Sequence, residues 1–531
     1  MSSSHLTVLE SSSKTFASST VFRLPQLDSA GRIESWSSIT YAQFHSQVEL
    51  FARHWTRVFS RQNIPRRSVI GMWISGFTYT DILHIYGLSR AGYIPQLFSL
   101  RLPNPVVIYE LLAKADAKAL IFEPSFESIL SNCPLPTHLG FQSENIESVE
   151  ESLPSIWDID EDSIAFYFHT SGSTSGSPKL VPMSFRWLNS VVVKSHHISK
   201  PQNPDRQDVT VPMGSMCHIG QTFMLVGILQ YGGCVVQPTS IGFSSEELIE
   251  IIIRCGLNRL NQFGAFLMKH FRNARQDPKL LALMATLDDV LYSGMPIPYE
   301  DEQWAIKSGI RLRNLFGSTE IGGMLLSGEH EKNRALLRAV PGTSYRFDPI
   351  ESSNEEGVHQ STAALYELVI LAESPDCPDI SLRKSDNNFH TGDLFQEVLP
   401  GWWVSRGRDD DWIKSETSLR CDTKAIEDNA RATCSGLIAE CIVVGSGRPS
   451  PVMFVEPSDD TVDHNKLKKD IIRKTRHFHS RRYLHERITS ADMIVIVPRG
   501  QLPRTATKGN IRRKAVEEAY QTEIDKIFGC A

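Results

Sequence analysis

Residues 166–179 read FYFHTSGSTSGSPK and change abruptly from an apolar run to small hydroxyl and glycine residues that end on a lysine. The apolar run 164–168 is prone to form a β-strand, and the Ser/Gly/Thr stretch after it cannot continue that strand. We therefore predict a strand that leads into a flexible turn, and such a turn can wrap a ligand.

The composition of this turn suits a polyphosphate ligand. Consecutive backbone N–H groups in a glycine-rich turn form an anion-binding concavity, hydroxyl groups add donors, and a final lysine supplies a mobile positive charge. The spacing of Gly172, Gly176 and Lys179, with Pro178 before the lysine, differs from the GxxxxGK[ST] loop of the common NTPases. A Ser/Gly linker is the alternative interpretation, although a linker would not normally follow directly on an apolar strand.

The overall composition is that of a globular protein with several cores. The chain has 531 residues, of which 41% are hydrophobic and 22% charged, with a formal net charge of -6. This length predicts more than one domain. The mildly acidic balance gives no electrostatic reason to bind nucleic acid, and we interpret the basic stretch 466–482, KLKKDIIRKTRHFHSRR, as the solvated face of a helix.

Cysteine usage and the chain ends favour a cytoplasmic protein. The nine cysteines are scattered without a CxxC pair, which suits free thiols and implies no structural metal. The first twenty residues lack the basic start and the apolar core of a leader, and no stretch reaches membrane-spanning length without charge. Gly529, Cys530 and Ala531 do not form a peroxisomal signal.

Short β-like runs alternate with helix-like segments, which predicts α/β layers with largely parallel sheets. Examples are SVIGMWI at 68–74, the helical pattern FTYTDILHIYGLSRAG, and KALIF at 118–122. Residues 124–160, 348–362 and 373–388 have the composition of surface loops. We predict a large N-terminal α/β domain over 1–409 and a small α+β domain over 410–531 that contains the strand-like segments at 440–446 and 492–498.

The opening stretch resembles the phosphate loop of the adenylate-forming superfamily, whose pattern is close to TSG[ST]TGxPK. This superfamily includes acyl-CoA synthetases, luciferases and the adenylation domains of nonribosomal peptide synthetases (NRPS) and carboxylic acid reductases. Further matches follow in the family's order: LYSGMPIP at 291–298, NLFGSTEIGG at 314–323, FHTGDLF at 389–395, GRDDDWIK at 407–414 and LPRTATKGNIRRK at 502–514. The resemblance implies activation of a carboxylic acid by ATP and Mg²⁺, with release of pyrophosphate.

By resemblance, the phosphate loop holds the leaving β- and γ-phosphates, while Thr319 bonds the α-phosphate and Glu320 holds Mg²⁺. Without its GSTE context, Glu320 would be interpreted as a helix-cap residue. The loop residues are Thr170, Ser171, Gly172, Ser173, Thr174, Ser175, Gly176 and Lys179, and the segment around Glu320 adds Asn314, Gly317 and Ser318 to the nucleotide site.

The resemblance also predicts which residues bind the adenine and the ribose. Phe316 stands where the family usually has a tyrosine beside the adenine, and stacking survives this change. The turn Gly294, Met295 and Pro296 would line the other side of the base. Asp393 would accept both ribose hydroxyls and Arg408 would donate to the same sugar, whereas an isolated aspartate and arginine would simply be surface residues.

In the family the small domain swings between an adenylating pose and a thiol-transfer pose. The resemblance places the hinge at Asp410 and matches Lys414 to a family lysine. The family's C-terminal lysine, which binds the acyl phosphate oxygens, would fall at position 509, where this chain has glycine. Either that lysine is absent or, as we hypothesise, Lys508 does its work one residue earlier. Arg512, Arg513 and Lys514 are predicted to begin a helix and to face solvent.

Three departures from the family pattern point to fungal NRPS-like enzymes and adenylating reductases as the nearest branch. Ser175 is an extra loop residue, Thr417 replaces a common glycine, and Lys508 and Gly509 are exchanged. The missing glycine bears on the thiol-transfer pose, because that loop would line the channel for a pantetheine arm.

The acid pocket is predicted from two further segments. In VPMGSMCHIGQTF, His218 stands where acyl-CoA synthetases carry a pocket-edge histidine, and Ile219 stands where amino-acid-activating domains carry the aspartate that pairs with the α-ammonium. An unpaired buried cation costs several kcal/mol, so an aryl or alkyl acid is favoured over an α-amino acid. Phe263 and Gly264 of NQFGAF supply another wall. His218 and NQFGAF could equally be ordinary core residues.

Three function classes follow from the sequence. The first is an acid-activating ligase that passes the acyl group to CoA or to the phosphopantetheine of a carrier protein. The second is the same unit within a larger synthetase or reductase; no carrier serine motif or reductase nucleotide fingerprint follows residue 514, so such a partner would lie elsewhere. The third, a nucleotide-binding paralogue without catalysis, conflicts with the retention of Glu320, Asp393, Arg408 and Lys508.

Overall fold

The computed structural model describes residues 3–100, 102, 104–130, 132–141, 146, 150–170, 179–294, 296–329, 333–350, 365–409, 412–414, 420–480, 482, 486–504 and 510–528. It is a mixed α/β structure with a large N-terminal domain and a smaller C-terminal domain, which confirms the predicted fold class. In these residues no helix is both long and apolar enough to cross a membrane.

The strands of the large domain are short and closely spaced. They are β1 (Thr20–Leu27), β2 (Ile33–Thr40), β3 (Val69–Trp73), β4 (Ile94–Phe98), β5 (Ala119–Phe122), β6 (Thr137–Leu139), β7 (Ile164–Thr170), β8 (Lys179–Ser184), β9 (Val209–Thr210), β10 (Cys234–Val236), β11 (Arg259–Phe263), β12 (Asp289–Ser293), β13 (Leu312–Ser318), β14 (Gly322–Ser327), β15 (Leu337–Ala339), β16 (Tyr345–Pro349), β17 (Tyr366–Ile370), β18 (Phe389–Leu399) and β19 (Trp402–Arg408).

Helices connect many of these strands. They are α1 (His5–Thr15), α2 (Tyr41–Arg61), α3 (Tyr79–Arg90), α4 (Pro105–Lys114), α5 (Phe185–Ile198), α6 (Ile219–Gln230), α7 (Ser245–Cys255), α8 (Gly264–Ala274), α9 (Pro278–Thr286) and α10 (Tyr299–Lys307). Side-chain caps fix several starts: Thr40 accepts from the Gln43 N–H at α2, and Thr78 accepts from the Asp81 N–H at α3.

The first sheet, in the order β6-β5-β3-β4-β7-β8, is parallel except at its β7–β8 edge. Every residue of β3, β4 and β5 is buried, as expected for parallel strands covered by helices on both faces. We predicted a surface loop over residues 124–160. This stretch also contains strand β6, which pairs with β5 of the first sheet. It also contains a 3₁₀ turn over Pro124–Ile129.

The second sheet carries the parallel strands that matter most for the site. In the described residues its order is β11-β12-β13-β14-β15-β19-β18-β17-β16, with β11, β12 and β13 parallel and the others antiparallel. A smaller sheet has the order β2-β1-β10-β9. Because the carboxyl ends of β11, β12 and β13 meet at one edge, that edge is where a ligand is expected.

The small domain has its own core. It contains β20 (Trp412–Lys414), β21 (Arg420–Asp422), β22 (Ile438–Val444), β23 (Val452–Pro457) and β24 (Ile494–Ile496), together with α11 (Thr423–Thr433), α12 (His464–Ser480), α13 (Arg513–Ala519) and α14 (Gln521–Ile527). Strands β22, β23 and β24 form one sheet. Helix α12 buries Leu467, Ile471, Thr475 and His479 and exposes most of its cations, as predicted for the basic stretch.

The prediction that Arg513 faces solvent is wrong. Its guanidinium Nη1 lies 2.6 Å from Oε1 of the buried Glu427 and also donates to the Val443 carbonyl, so it ties α13 to α11 and β22. Lys514 is exposed, as predicted. A polar residue at the start of a helix does not reveal in the sequence which neighbouring element it will meet.

Candidate active site

The carboxyl ends of β11 and β12 bring the predicted acid-pocket residues together. Phe263 is the last residue of β11 and pairs with Ser293 of β12, and Gly294 follows with a positive φ of 89°. A Cβ on Gly294 would lie 3.0 Å from the Phe263 ring, and one on Gly214 would lie 2.8 Å from it. Glycine at both positions therefore gives the aromatic ring its space.

Helix α6 starts at Ile219, which follows the N-cap residue His218 and directly precedes a glycine that lies near the same ring. His218 caps the helix, and its Nε2 lies 3.4 Å from Oγ of Ser99, which follows β4 of the first sheet. Ile219 is 8% exposed and belongs to the core, and a Cβ on the next residue, Gly220, would lie 3.8 Å from the Phe263 ring. Phe263 packs against the core cluster that contains Ile219, His218 is the N-cap residue of the same helix α6, and Gly264 begins α8 directly after Phe263.

The segment containing Thr319 and Glu320 forms the turn between β13 and β14. Gly317 is required there, because a Cβ would lie 2.3 Å from the Gly322 carbonyl oxygen across the hairpin. Thr319 and Glu320 are half-buried. The Glu320 carboxylate makes no hydrogen bond or ion pair with the described residues, and the buried Ser318 Oγ has no partner in the same part of the structure.

Phe316 links this hairpin to the predicted ribose residues. Its ring meets the Phe395 ring edge to face, with centroids 5.0 Å apart. Two residues before Phe395 on β18 is Asp393, which pairs with Arg408 of β19. Their side chains approach to 3.7 Å between Oδ1 and Nη1. Phe316, Asp393 and Arg408 therefore belong to adjoining parts of one sheet, and Asn314 lies on β13 with its N–H donating to Ser327 Oγ.

The predicted phosphate loop starts and ends on neighbouring strands. Thr170 ends β7 and Lys179 begins β8, and the two residues are partners in the antiparallel ladder. Several predicted residues lie outside the described residues: Ser171, Gly172, Ser173, Thr174, Ser175, Gly176, Met295, Asp410 and Lys508. The side chain of Lys414 is likewise not described, whereas Pro296 is exposed after β12.

His169, immediately before Thr170, was not among the predicted site residues. Its ring stacks on Phe98 with centroids 4.5 Å apart, Nδ1 lies 2.9 Å from the Leu97 carbonyl oxygen, and Nε2 lies 3.2 Å from Gln96 Nε2. This arrangement places the proton on Nδ1 and lets Nε2 accept from the amide. Burial lowers the pKa of His169 to about 4, so it is neutral at pH 7. An uncharged side chain therefore lies directly before the predicted phosphate loop.

The AMP-binding enzyme family model matches residues 18–347, and the AMP-binding enzyme C-terminal domain model matches residues 410–530. The chain belongs to the AMP-binding enzyme family. The predicted resemblance is thereby confirmed.

Among its relatives, this AMP-binding enzyme is 37% identical over 512 residues to the AMP-binding domain-containing enzyme iboA of Amanita muscaria, covering 94% of this chain and 98% of that protein. It is 24% identical to the adenylate-forming reductase stbB of Stachybotrys bisbyi, over 84% of this chain but 41% of the reductase. The chain therefore spans less than half of the reductase. These relatives agree with the predicted fungal, NRPS-like branch.

Solved structures of AMP-binding enzymes share the fold. The O-succinylbenzoate coenzyme A synthetase of Bacillus subtilis, solved with ATP and magnesium, superposes with a TM-score of 0.74 at 14% identity, covering 97% of this chain and 100% of that chain. The anthranilate CoA ligase AuaEII with anthranoyl-AMP gives 0.72 at 16% identity, covering 98% of each. At such identities the likeness shows the fold. The family match and the similarity to iboA make this chain an adenylate-forming AMP-binding enzyme.

The hairpin has donors that fit a magnesium ion accompanying a nucleotide. Mg²⁺ in nucleotide sites usually takes one or two protein carboxylates, with phosphate oxygens and water completing its shell. Glu320 supplies one such carboxylate, half-buried and without a protein partner among the described residues. No cluster of three or more His, Cys, Asp or Glu side chains that could hold a metal by itself occurs in that part of the chain. The donor set therefore fits a metal shared with ATP.

Proposed function

We propose that this enzyme uses Mg²⁺ and ATP to convert a carboxylic acid to its acyl-AMP with release of pyrophosphate, and then passes the acyl group to a thiol. The observation that supports this most is the half-buried hairpin bearing Thr319 and Glu320, at the strand edge where Phe263 and Gly294 also lie. An acid bound at Phe263 would face a nucleotide held along β13 and β18.

The chemistry requires protein groups that bring two anions together. A carboxylate must attack the α-phosphorus, and negative charge builds up on the phosphate oxygens as the P–O bond to pyrophosphate breaks. When bound, Mg²⁺ screens this charge. Thr319 would donate to the α-phosphate, Lys179 and the loop would bind the leaving phosphates, and Asp393 with Arg408 would orient the ribose. Phe316 would pack beside the adenine.

We further propose that residues 1–409 hold the nucleotide and the acid, and that residues 410–531 move about Asp410 to present Lys508 and then to admit the thiol. Strand β19 ends at Arg408, two residues before the proposed hinge at Asp410. CoA and a carrier-protein phosphopantetheine are both candidate thiols. An adenylating unit within a larger synthetase or reductase would use the same chemistry. Acid-dependent ATP–pyrophosphate exchange, repeated with CoA and analysed by mass for thioesters, tests both half-reactions.

The acid pocket should prefer acids without an α-ammonium group. Ile219 is apolar and 8% exposed where a counter-charge would be needed. We expect Ile219→Asp to move the preference in an acid-panel exchange assay toward α-amino acids. Ile219→Asn, which has nearly the same shape as the aspartate variant but no charge, should leave the preference unchanged. If α-amino acids alone support exchange in the wild-type enzyme, the proposed substrate class is wrong.

The ring of Phe263 should limit the size of the acid. It fills the space left by Gly214 and Gly294, so Phe263→Ala removes a large side chain at the pocket. We expect this variant to activate bulkier acids than the wild type and to lose up to about 3 kcal/mol of transition-state binding for its preferred acid. Phe266→Ala is the control, because Phe266 lies on α8 and its ring packs near Gly242 instead. If Phe263→Ala activates the same acids as the wild type, Phe263 does not line the acid pocket.

A further inference from the structure

Helix α5 holds the backbone of the Glu320 hairpin through two side chains that no sequence motif identified. Trp187 donates its Nε1–H to the Glu320 carbonyl oxygen at 2.9 Å, and the Lys194 ammonium donates to the next carbonyl, that of Ile321. Trp187 and Lys194 are seven residues apart, which places them on one face of the helix about two turns from each other. Two successive carbonyls are therefore bound to a single rigid element.

The lysine is unusual in its burial. Lys194 is 0% exposed and its ammonium lies 2.8 Å from Oδ2 of Asp376, whose side chain is also 0% exposed. Ser374 donates to the other carboxylate oxygen, Oδ1. Burial lowers the pKa of Lys194, and the adjacent Asp376 opposes that shift.

A buried ion pair is a costly way to join a helix to a hairpin. Desolvation of two charges can exceed their attraction, and well-packed apolar side chains often give equal or greater stability. The pair does fix the position of the Lys194 ammonium, because the ammonium is bound by both the Asp376 carboxylate and the Ile321 carbonyl. Stability alone therefore gives a poor account of Lys194, whereas a need to fix the hairpin backbone gives a direct one.

We propose that Lys194, oriented by Asp376, and Trp187 are positioning residues that hold the Thr319–Glu320 turn in the geometry needed for the metal and the α-phosphate. This inference rests on the proposed role of Glu320. Trp187 binds the backbone carbonyl of Glu320 and not its side chain. The backbone is therefore held while the carboxylate stays available to a ligand. The expected consequence of releasing the turn is a weaker response to Mg²⁺.

The test uses the full chain and measures ATP binding at increasing Mg²⁺, which requires no knowledge of the acid. Trp187→Phe keeps the aromatic ring but removes the donor, and the double variant Lys194→Met with Asp376→Asn removes both buried charges together. We expect each to raise the Mg²⁺ concentration needed for half-maximal tightening of ATP binding by about tenfold or more. The double variant should keep a melting temperature near that of the wild type, because no charge is left unpaired.

The single variant Lys194→Met serves as the contrast. It leaves the Asp376 carboxylate buried without its cation and should lose stability as well as the Mg²⁺ response. If the double variant recovers both stability and the wild-type Mg²⁺ response, the pair is only structural and the inference is overturned. If the ATP affinity of the wild-type enzyme does not change with Mg²⁺ concentration, the role of Glu320 itself is overturned, and the inference with it.

Discussion

Replacing Glu320 with alanine should reduce Mg²⁺-dependent ATP–pyrophosphate exchange by about a hundredfold or more, with the fold intact. The carboxylate is half-buried in the turn between β13 and β14 and makes no hydrogen bond or ion pair with the described residues. Its loss removes one ligand that would hold Mg²⁺ on the phosphates while charge develops. Losing one such charge-stabilising group costs roughly 3 kcal/mol of transition-state stabilisation.

Two measurements make this result specific. Glu300→Ala is the matched control, since Glu300 is an exposed glutamate near the start of α10. It should exchange pyrophosphate like the wild type. The melting temperature of Glu320→Ala should also stay close to the wild-type value, because the side chain supports no described neighbour. Exchange at the wild-type rate in Glu320→Ala would show that the metal is held by another residue.

Lys508→Ala should reduce pyrophosphate exchange by orders of magnitude, while the variant still converts a chemically prepared acyl-AMP to a thioester when a suitable thiol is supplied. The lysine is proposed to bind the oxygens between the acyl and phosphate groups as the carboxylate attacks. It should therefore matter for forming the adenylate and little for consuming it. In the sequence TATKGN, the neighbouring Gly509 can adopt positive φ and redirect the chain, and the long lysine side chain can span a one-residue offset.

Lys514→Ala provides the control for this charge. Lys514 is exposed on α13, six residues further along the chain, and its removal should leave exchange unchanged. Arg513 is a poor control because its ion pair with Glu427 supports the small domain. Near-normal exchange in Lys508→Ala, together with loss of exchange in Lys514→Ala, would show that Lys514 carries the catalytic charge and that the assignment to Lys508 is wrong.

Local patterns in the sequence were sufficient to predict much of the fold. The apolar run before the phosphate loop is β7, KALIF contains β5, and the basic stretch at 466–482 lies largely on α12. Each signal is carried within one segment, as strand-forming composition or as helical periodicity. Strand β6 was missed because THL is too short to show a period, and its pairing with β5 depends on the rest of the sheet.

For the candidate site, the structure shows where the motif residues lie, and their roles stay predictions. Phe263, Gly294, Thr319 and Glu320 come from separate motifs in the sequence and lie at adjoining strand ends in the structure. The support behind the hairpin had no such signal. Lys194 meets Ile321 across 127 residues of sequence and Asp376 across 182, so only the folded chain brings them together.

The structure does not test the three departures from the family pattern. Ser175, Thr417 and the exchanged Lys508 and Gly509 all lie outside the described residues. Their consequences stay predictions. The extra loop residue and the lysine exchange bear on adenylate formation, and the missing glycine bears on thiol transfer. The two half-reactions must therefore be measured separately.

The most direct test of the account is ATP–pyrophosphate exchange by the purified full chain against a panel of carboxylic acids. We expect at least one aryl or alkyl acid to stimulate exchange in a Mg²⁺-dependent manner, with the corresponding acyl-AMP detected by mass. An enzyme that binds ATP but exchanges pyrophosphate with no acid in the panel, and forms no acyl-AMP, would contradict the proposed acid activation and favour a nucleotide-binding role without catalysis.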